Sequence, residues 1–403
     1  MTHLTTDILV AGGGIAGLSA SCAFGAAGFR VTCVDPAPPI TNRDAPGADL
    51  RSTAFLKPAR DFLAEAGLWE RMATTATALN VMRILDAGGA QPVARLKRDF
   101  VASDIGEAQF GYNVANTEIR RALLERIDEL EGVDFCPGIS VKGVKPATDH
   151  ATVQLSDGQR RTARLLVAAD GRSSFLREAL GIGVQHHAFG QSALAFAVSH
   201  NKPHRHISTE VHRSGGPFTL VPLPDHQGEP SSAVVWMEED ARVRQLLELD
   251  EEAFSAAATE RSAGAQGTLR LITRRTAWPI ISQLANHFDG PRTALVAEAA
   301  HVMPPIGAQG LNTSLKDLKA LLDLARQAPE AIGEPTMLRR YHWQRFPDVA
   351  VRVAGIAALN QISRAAPRPL RDARAAGLMA LHGVAPVRKF LMRLGLGGHG
   401  DVG

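Results

Sequence analysis

Cysteine is scarce in this chain: Cys22, Cys33 and Cys136 are its only three among 403 residues, and no two form a CxxC pair. That excludes a disulfide framework and a thiolate zinc site, and small buried core thiols in a reducing cytoplasm are expected instead. Long apolar runs are also missing. No stretch of about 18 apolar residues occurs, so no segment is expected to span a bilayer. The opening MTHLTTDILVAGGGIAG has neither a basic n-region nor a cleavage site, so no signal peptide is expected. There is no Lys/Arg block, and the formal net charge is only +3 with 21% charged residues, which argues against a nucleic-acid partner. The histidines between positions 200 and 212 fit no compact metal-ligand spacing and are expected on a strand surface. Internal repeats and low-complexity segments are absent too.

What is present is a core-forming chain, 45% hydrophobic, long enough for two or three intertwined units. A short apolar strand over residues 7–10 runs into glycines at 12, 14 and 17. A helical pattern follows through Leu18, Cys22 and Phe24, stops at Gly28, and gives way to a second strand ending at Asp35. This is a strand–GxGxxG–helix–strand–acid unit, with the acid 18 residues after Gly17 (35 − 17). Gly12 permits a tight turn, Gly14 lets a pyrophosphate approach the backbone, and Gly17 lets the helix pack close to the strand. Ile15 and Ala16 open the helix, whose N-terminus offers free N–H groups and a partial positive charge. Asp35 is placed to accept from ribose hydroxyls. The bland alternative is a glycine-rich turn without ligand, and the motif does not separate FAD from NAD.

Two later stretches carry further signals. A largely apolar strand over residues 164–169 ends in Asp170-Gly171-Arg172-Ser173-Ser174-Phe175-Leu176-Arg177. A strand expected over 292–297 leads into Glu298-Ala299-Ala300-His301-Val302-Met303-Pro304-Pro305-Ile306-Gly307-Ala308-Gln309-Gly310-Leu311-Asn312, with a helix expected over about 313–325. Residues 307–312 hold two glycines ahead of a helix, a loop suited to present N–H groups to negative charge.

With these residues in view, the sequence resembles the class A FAD-dependent aromatic monooxygenases, the group of para-hydroxybenzoate hydroxylase. DGxxSxxR matches that group's second fingerprint. AEAAHVMPPIGAQGLN matches its third, with Ala297-Glu298 in place of the usual Gly-Asp. The resemblance implies a Rossmann-like FAD-binding domain interleaved with a mainly antiparallel β-sheet substrate domain, an α/β fold with C-terminal helices. It implies noncovalent FAD contacted by Gly12, Gly14, Ile15, Ala16, Gly17, Asp35, Asp170, Gly171, Glu298, Pro305, Gly307, Ala308, Gln309, Gly310, Leu311 and Asn312. Arg51 resembles the arginine after the family's second strand, Asn116 its amide-bearing flavin neighbour, and Arg120 a weaker phosphate or flavin candidate. His301 either moves protons or fixes the loop. No second GxGxxG is visible, so NAD(P)H is expected to bind transiently as reductant. In the family, reduced flavin and dioxygen give a C4a-hydroperoxide whose distal oxygen is attacked by an electron-rich phenol ring, so no Ser/His/Asp triad is needed.

The expected division is FAD-binding segments 1–80, 101–185 and 277–340, sheet segments 81–100 and 186–276, and a helical region 341–403. In the sheet, Phe218, Leu220, Val221 and Leu223 are expected to wall an apolar pocket. GPFTLVPLP and residues 341–395 resemble the ubiquinone-biosynthesis hydroxylases, through Arg345, Asp348-Val349, Leu359-Asn360, Arg374-Ala375-Ala376-Gly377-Leu378 and Ala385-Pro386-Val387-Arg388-Lys389. Residues 344–348 depart from that subgroup's paired arginines, and 313–317 are more polar than typical. The implied substrate is a polyprenylated phenol, met at the surface of the inner membrane or in a ubiquinone-biosynthesis protein complex. A hydroxylase of small soluble aromatics, and a non-catalytic flavoprotein scaffold, share the FAD motifs. A flavin halogenase is disfavoured, because WxWxIP is reduced to Trp278-Pro279-Ile280.

Overall fold

The computed structural model describes residues 4–87, 93–213 and 215–364, with a few positions between 386 and 393. Residues 374–378, 385 and 387, which carry part of the resemblance, lie outside the described residues.

The first strand, Leu4–Ala11, sits inside a sheet whose order is Asp289–Gly290, Thr293–Leu295, Arg160–Ala168, Leu4–Ala11, Val31–Asp35, Val133–Pro137. Its two neighbours pair with it in parallel. Ile8, Leu9 and Val10 are all fully buried, as a strand covered on both faces requires. The helix Ile15–Ala26 covers it, buried at Leu18, Cys22 and Phe24, and packs against the helix Asn116–Asp128.

A second sheet of nine strands runs in the order His301–Val302, Thr276–Ala285, Val184–His200, Glu229–Glu239, Pro217–His226, Ile207–His212, Val81–Asp86, Leu96–Val101, with Leu269–Leu271 beside the long strand. It is antiparallel except where Ile207–His212 meets Val81–Asp86. Side chains alternate between its faces. One face joins Phe196, Phe218, Leu220, Val234 and Trp236 to Phe254 of the helix Glu251–Arg261, with the Phe196 and Phe254 rings 4.8 Å apart and edge-to-face. The register puts Ala193, Ala195, Ala197, Thr219, Val221, Ala233, Val235, Met237 and Trp278 on the other face. That face lies toward the first sheet: Ala193, Met237, Val235 and Trp278 pack into the main core. A separate three-stranded sheet, Ser52–Leu56, Gly111–Ala115 and Thr77–Leu79, also meets the second sheet, where Asn113 donates to the Pro222 carbonyl at 2.9 Å. Phe218 and Leu220 therefore do not share a wall with Val221 and Leu223. A strand cannot show four near-consecutive residues to one side.

The helix Pro335–Arg364 packs against the strands Asp289–Gly290 and Thr293–Leu295 at one edge of the first sheet and is anchored by the fully buried Tyr341, which donates to the Leu295 carbonyl at 2.8 Å. Among the described residues no helix is long and apolar enough to cross a membrane. Several local expectations change. The strand expected over 292–297 is only Thr293–Leu295, because Ala297 turns left-handed. The helix expected from 313 begins at Gln309. Cys22 and Cys33 are buried, but Cys136 is half-buried beside Asp134; burial, then the Asp134 charge, push its thiol up to about 11. His200 is not on a strand surface: it is buried, with Nε2 3.0 Å from the Ser232 hydroxyl.

Candidate functional site

The sheet order sets Thr293–Leu295, Arg160–Ala168 and Leu4–Ala11 side by side and parallel. The three glycine-bearing stretches that follow them therefore emerge at one end, the carboxyl end, where open α/β sheets receive ligands.

The glycines of the first stretch divide into two kinds. Gly12 has φ +106°, and a Cβ there would meet the Ala169 carbonyl; a Cβ on Gly17 would fall on the Gly12 carbonyl oxygen. These two let strands and helix touch. Gly14 differs: its φ of −68° and ψ of 175° suit any residue, it is exposed, and a Cβ would find no atom within 4 Å. What this position provides is empty space next to the helix N-terminus, not an unusual backbone angle. Ile15 and Ala16 follow in the first helical turn. Asp35 accepts from the Gly13 amide at 2.5 Å and the Ala37 amide at 2.8 Å, leaving each oxygen a spare lone pair.

The second stretch is a clamp on the third. Ser174 caps the short helix Phe175–Ala179 by accepting from the Arg177 amide. The buried Arg177 side chain donates to the Ala299 and Arg172 carbonyls at 3.0 and 2.9 Å. Asp170 accepts from the Leu176 amide through Oδ2 at 3.1 Å, while its Oδ1 is buried with no partner among the described residues. A buried carboxylate oxygen without a donor is costly, and a cofactor hydroxyl would supply one. Gly171 beside it has φ +87° and open space at its Cβ position. Glu298 is half-exposed and paired with Arg172 at 3.2 Å.

In the third stretch Ala297 and Ala308 both adopt left-handed φ, +53° and +56°, a conformation that costs an L-residue about 1–2 kcal/mol. Gly307, Ala308 and Gly310 are exposed, and Gly310 has nothing within 4 Å of its Cβ position. Pro305 and Leu311 are half-buried on either side. The Asn312 amide is already spent: it donates to the Ala54 and Ala308 carbonyls at 2.7 and 2.6 Å and accepts from the Leu56 amide at 2.9 Å. Its contribution here is to fasten the loop to the strand Ser52–Leu56.

Arg51, Asn116 and Arg120 converge on a residue the sequence did not single out, Asp49. Arg51 binds both its oxygens at 2.8 Å, Asn116 donates at 2.9 Å, and Arg120 lies at 3.5 Å. Burial alone would raise the Asp49 carboxyl, but the Arg51 hydrogen bond and charge, with Asn116 and Arg120, hold it at about 2. The Arg51 guanidinium also lies over the Trp278 ring, 5.1 Å from its centre, where the small-residue face of the second sheet begins.

His301 is buried, with Nε2 2.6 Å from Asp317 Oδ2. Asp317 also accepts from Arg345 at 2.7 Å. The polar 313–317 segment and the altered 344–348 segment thus answer each other, one supplying the carboxylate and the other its arginine. This contact ties His301 to the helix Gln309–Gln327. A His287–Asp289–His342 group also gathers at the edge of the first sheet. The ring nitrogens stand 3.9 and 3.7 Å from the carboxylate, but His342 Nδ1 already accepts from the Phe288 amide.

This is the architecture of an FAD-dependent monooxygenase. The chain matches the FAD binding domain family over residues 5–354 and belongs to it. It is 31% identical over 396 residues to a protein named ubiquinone hydroxylase UbiL from Rhodospirillum rubrum, covering 97% of this chain and 89% of that protein. It is 26% identical to the 3-demethoxyubiquinol 3-hydroxylase of Escherichia coli, covering 98% of this chain and all of that one. The solved structure of p-nitrophenol 4-monooxygenase PnpA from Pseudomonas putida shares the fold, with a TM-score of 0.79 at 19% identity over 98% of this chain and 100% of that one. The expected cofactor, FAD, accords with this membership.

Proposed function

We propose that this chain is an FAD-dependent monooxygenase that hydroxylates the aromatic ring of a polyprenylated phenol in ubiquinone biosynthesis, with NAD(P)H and dioxygen as co-substrates. The observation that carries this reading is full-length similarity to ubiquinone hydroxylases in a chain whose three glycine-bearing stretches emerge at one sheet end. Bound FAD would supply the redox chemistry and oxygen activation. Gly14, Gly171 and Gly310 leave room for it, the helix N-termini at Ile15 and Gln309 offer N–H groups to its negative portions, and Asp35, Asp170 and Glu298 offer acceptors for its hydroxyls. Arg51, held by Asp49, lies over the Trp278 ring of the second sheet.

The substrate ring is assigned to the face of Thr219, Val221, Val235 and Trp278. All four are only half-buried, whereas Phe218 and Leu220 are committed to the opposite core. The alanines at 193, 195, 197 and 233 keep that face shallow, giving space for a ring and the start of an apolar tail. Each tail methylene removed from water adds about 0.8 kcal/mol. A tail of this kind favours delivery from a membrane surface or a biosynthetic complex. The test is product mass with labelled dioxygen across a series of tail lengths. One labelled oxygen in the ring, with apparent affinity falling as the tail shortens, is expected. Equal efficiency on a tail-less phenol would replace this assignment with a hydroxylase of small aromatics.

A further inference from the structure

The loop at residues 307–312 is an improbable shape for the chain to hold unaided. Gly307 and Ala308 are both left-handed, at φ +65° and +56°, and Gly307, Ala308 and Gly310 are exposed. Behind the loop runs a chain of hydrogen bonds and ion pairs. Asp317 holds His301 and Arg345. Arg345 continues to Asp348 at 3.0 Å, and Asp348 accepts from Arg352 at 3.0 Å. Arg352 then donates to Gln309 Oε1 at 3.0 Å, and Gln309 Nε2 donates to the Gly307 carbonyl at 3.0 Å. The chain therefore leaves the third motif at His301, passes through the helix Pro335–Arg364, and returns to that motif at Gln309.

We infer that Arg352 is a positioning residue for the cofactor loop, acting through Gln309. The helix that carries Arg352 has no nucleotide motif, so on this view it sets the cofactor loop from outside. Three features support the role. The Arg352 guanidinium is mostly buried and fixed by Asp348, with side-chain exposures of 13% and 21%, so its direction is determined. Its bond to Gln309 is charge-assisted and stronger than a neutral one. Gln309 then spans the bend directly, holding the carbonyl of Gly307 on one side and the arginine on the other. Rotation of the first helical turn would break both contacts. The inference rests on the reading that residues 307–312 seat the flavin.

The experiment compares FAD dissociation constants of apoprotein reconstituted with FAD, measured by flavin fluorescence. Arg352→Met keeps the aliphatic stem, Arg352→Lys keeps the charge, and Gln309→Ala removes the intermediary. Loss of a hydrogen bond to a charged group predicts a dissociation constant about tenfold higher for Arg352→Met. Arg352→Lys should recover part of that, and the double variant Arg352→Met/Gln309→Ala should be no worse than the more affected single variant. A purely structural arginine would lower the melting temperature of the apoprotein and leave FAD affinity unchanged. A folded Arg352→Met protein with affinity within about twofold of the parent overturns the inference; so do additive effects in the double variant. Gly310→Val separates this outcome from failure of the loop reading. Its Cβ meets nothing in the protein, so FAD binding that survives it shows the flavin is seated elsewhere, whereas FAD loss with Arg352→Met unaffected overturns only the role of Arg352.

Discussion

The first and third glycine-bearing stretches emerge at the same end of one sheet, yet they are held in opposite ways. The first is backbone against backbone: Gly17 touches Gly12, Gly12 touches Ala169, and no non-glycine residue in it has a left-handed φ. The third bends at Ala297 and Ala308, both left-handed, and is fastened by side chains from distant segments: Arg177, Asp317, Arg345 and Arg352. A tight turn can thus be fixed by the absence of side chains or by a surplus of tethering ones. The first kind is rigid and intolerant, while the second is tunable through residues far along the chain.

The largest effect that should separate them is at Gly17. A Cβ there has no relief, because the obstacle is a backbone oxygen, so Gly17→Val should cost more than about 4 kcal/mol and yield little soluble folded protein. Gly14→Val, three residues earlier, should fold with a native circular dichroism spectrum and purify without the flavin absorbance. A soluble, yellow Gly17→Val protein would break the contrast, as would a Gly14→Val protein with full FAD content.

Next in size is Asp317. It is fully buried and serves both His301 and Arg345. Replacing it with Asn leaves Arg345 with only Asp348, a carboxylate already shared with Arg352, as its charged partner, so the loss should fall at the low end of the about 3–5 kcal/mol that breaking a buried pair costs. The urea midpoint should fall accordingly. Asp317→Asn/Arg345→Met should recover much of the loss, because the stranded charge is gone. An unchanged midpoint in the single variant would show that the third stretch does not depend on this tether.

The same contrast explains what could be read from the sequence. The strand–GxGxxG–helix–acid unit was legible because everything it needs lies within residues 7–35, and the fold class followed once the two later fingerprints joined it. Asp49 was not legible: its partners Asn116 and Arg120 lie 67 and 71 residues away, and DLR gives no periodic or compositional signal. The side-chain partners of Asn312 were not legible either, since two of its three bonds reach across more than 250 residues to the strand Ser52–Leu56. The division of Phe218 and Leu220 from Val221 and Leu223 was available, since strict alternation assigns them to opposite faces. The Ala297-Glu298 departure was visible as letters, but its consequence needed the backbone angle.

That angle gives the smallest prediction, and the one with the opposite sign. At φ +53° the methyl group of Ala297 crowds its own backbone, at a cost of about 1–2 kcal/mol. Glycine, the residue the related fingerprint carries there, has no such penalty. It loses more conformational freedom on folding, which offsets about 0.4–1 kcal/mol of the gain. The difference leaves Ala297→Gly more stable than the parent by about 0.5–1 kcal/mol, a small rise in urea midpoint at constant slope. No contact is added, so the gain is a backbone effect alone and should persist in the apoprotein. Gly14→Ala, where φ is −68° and the space is open, shares none of this strain. It should gain stability only through the unfolded chain and lose FAD affinity. If Ala297→Gly instead lowers the midpoint, the left-handed alanine is not a source of strain, and the third stretch is held as comfortably as the first.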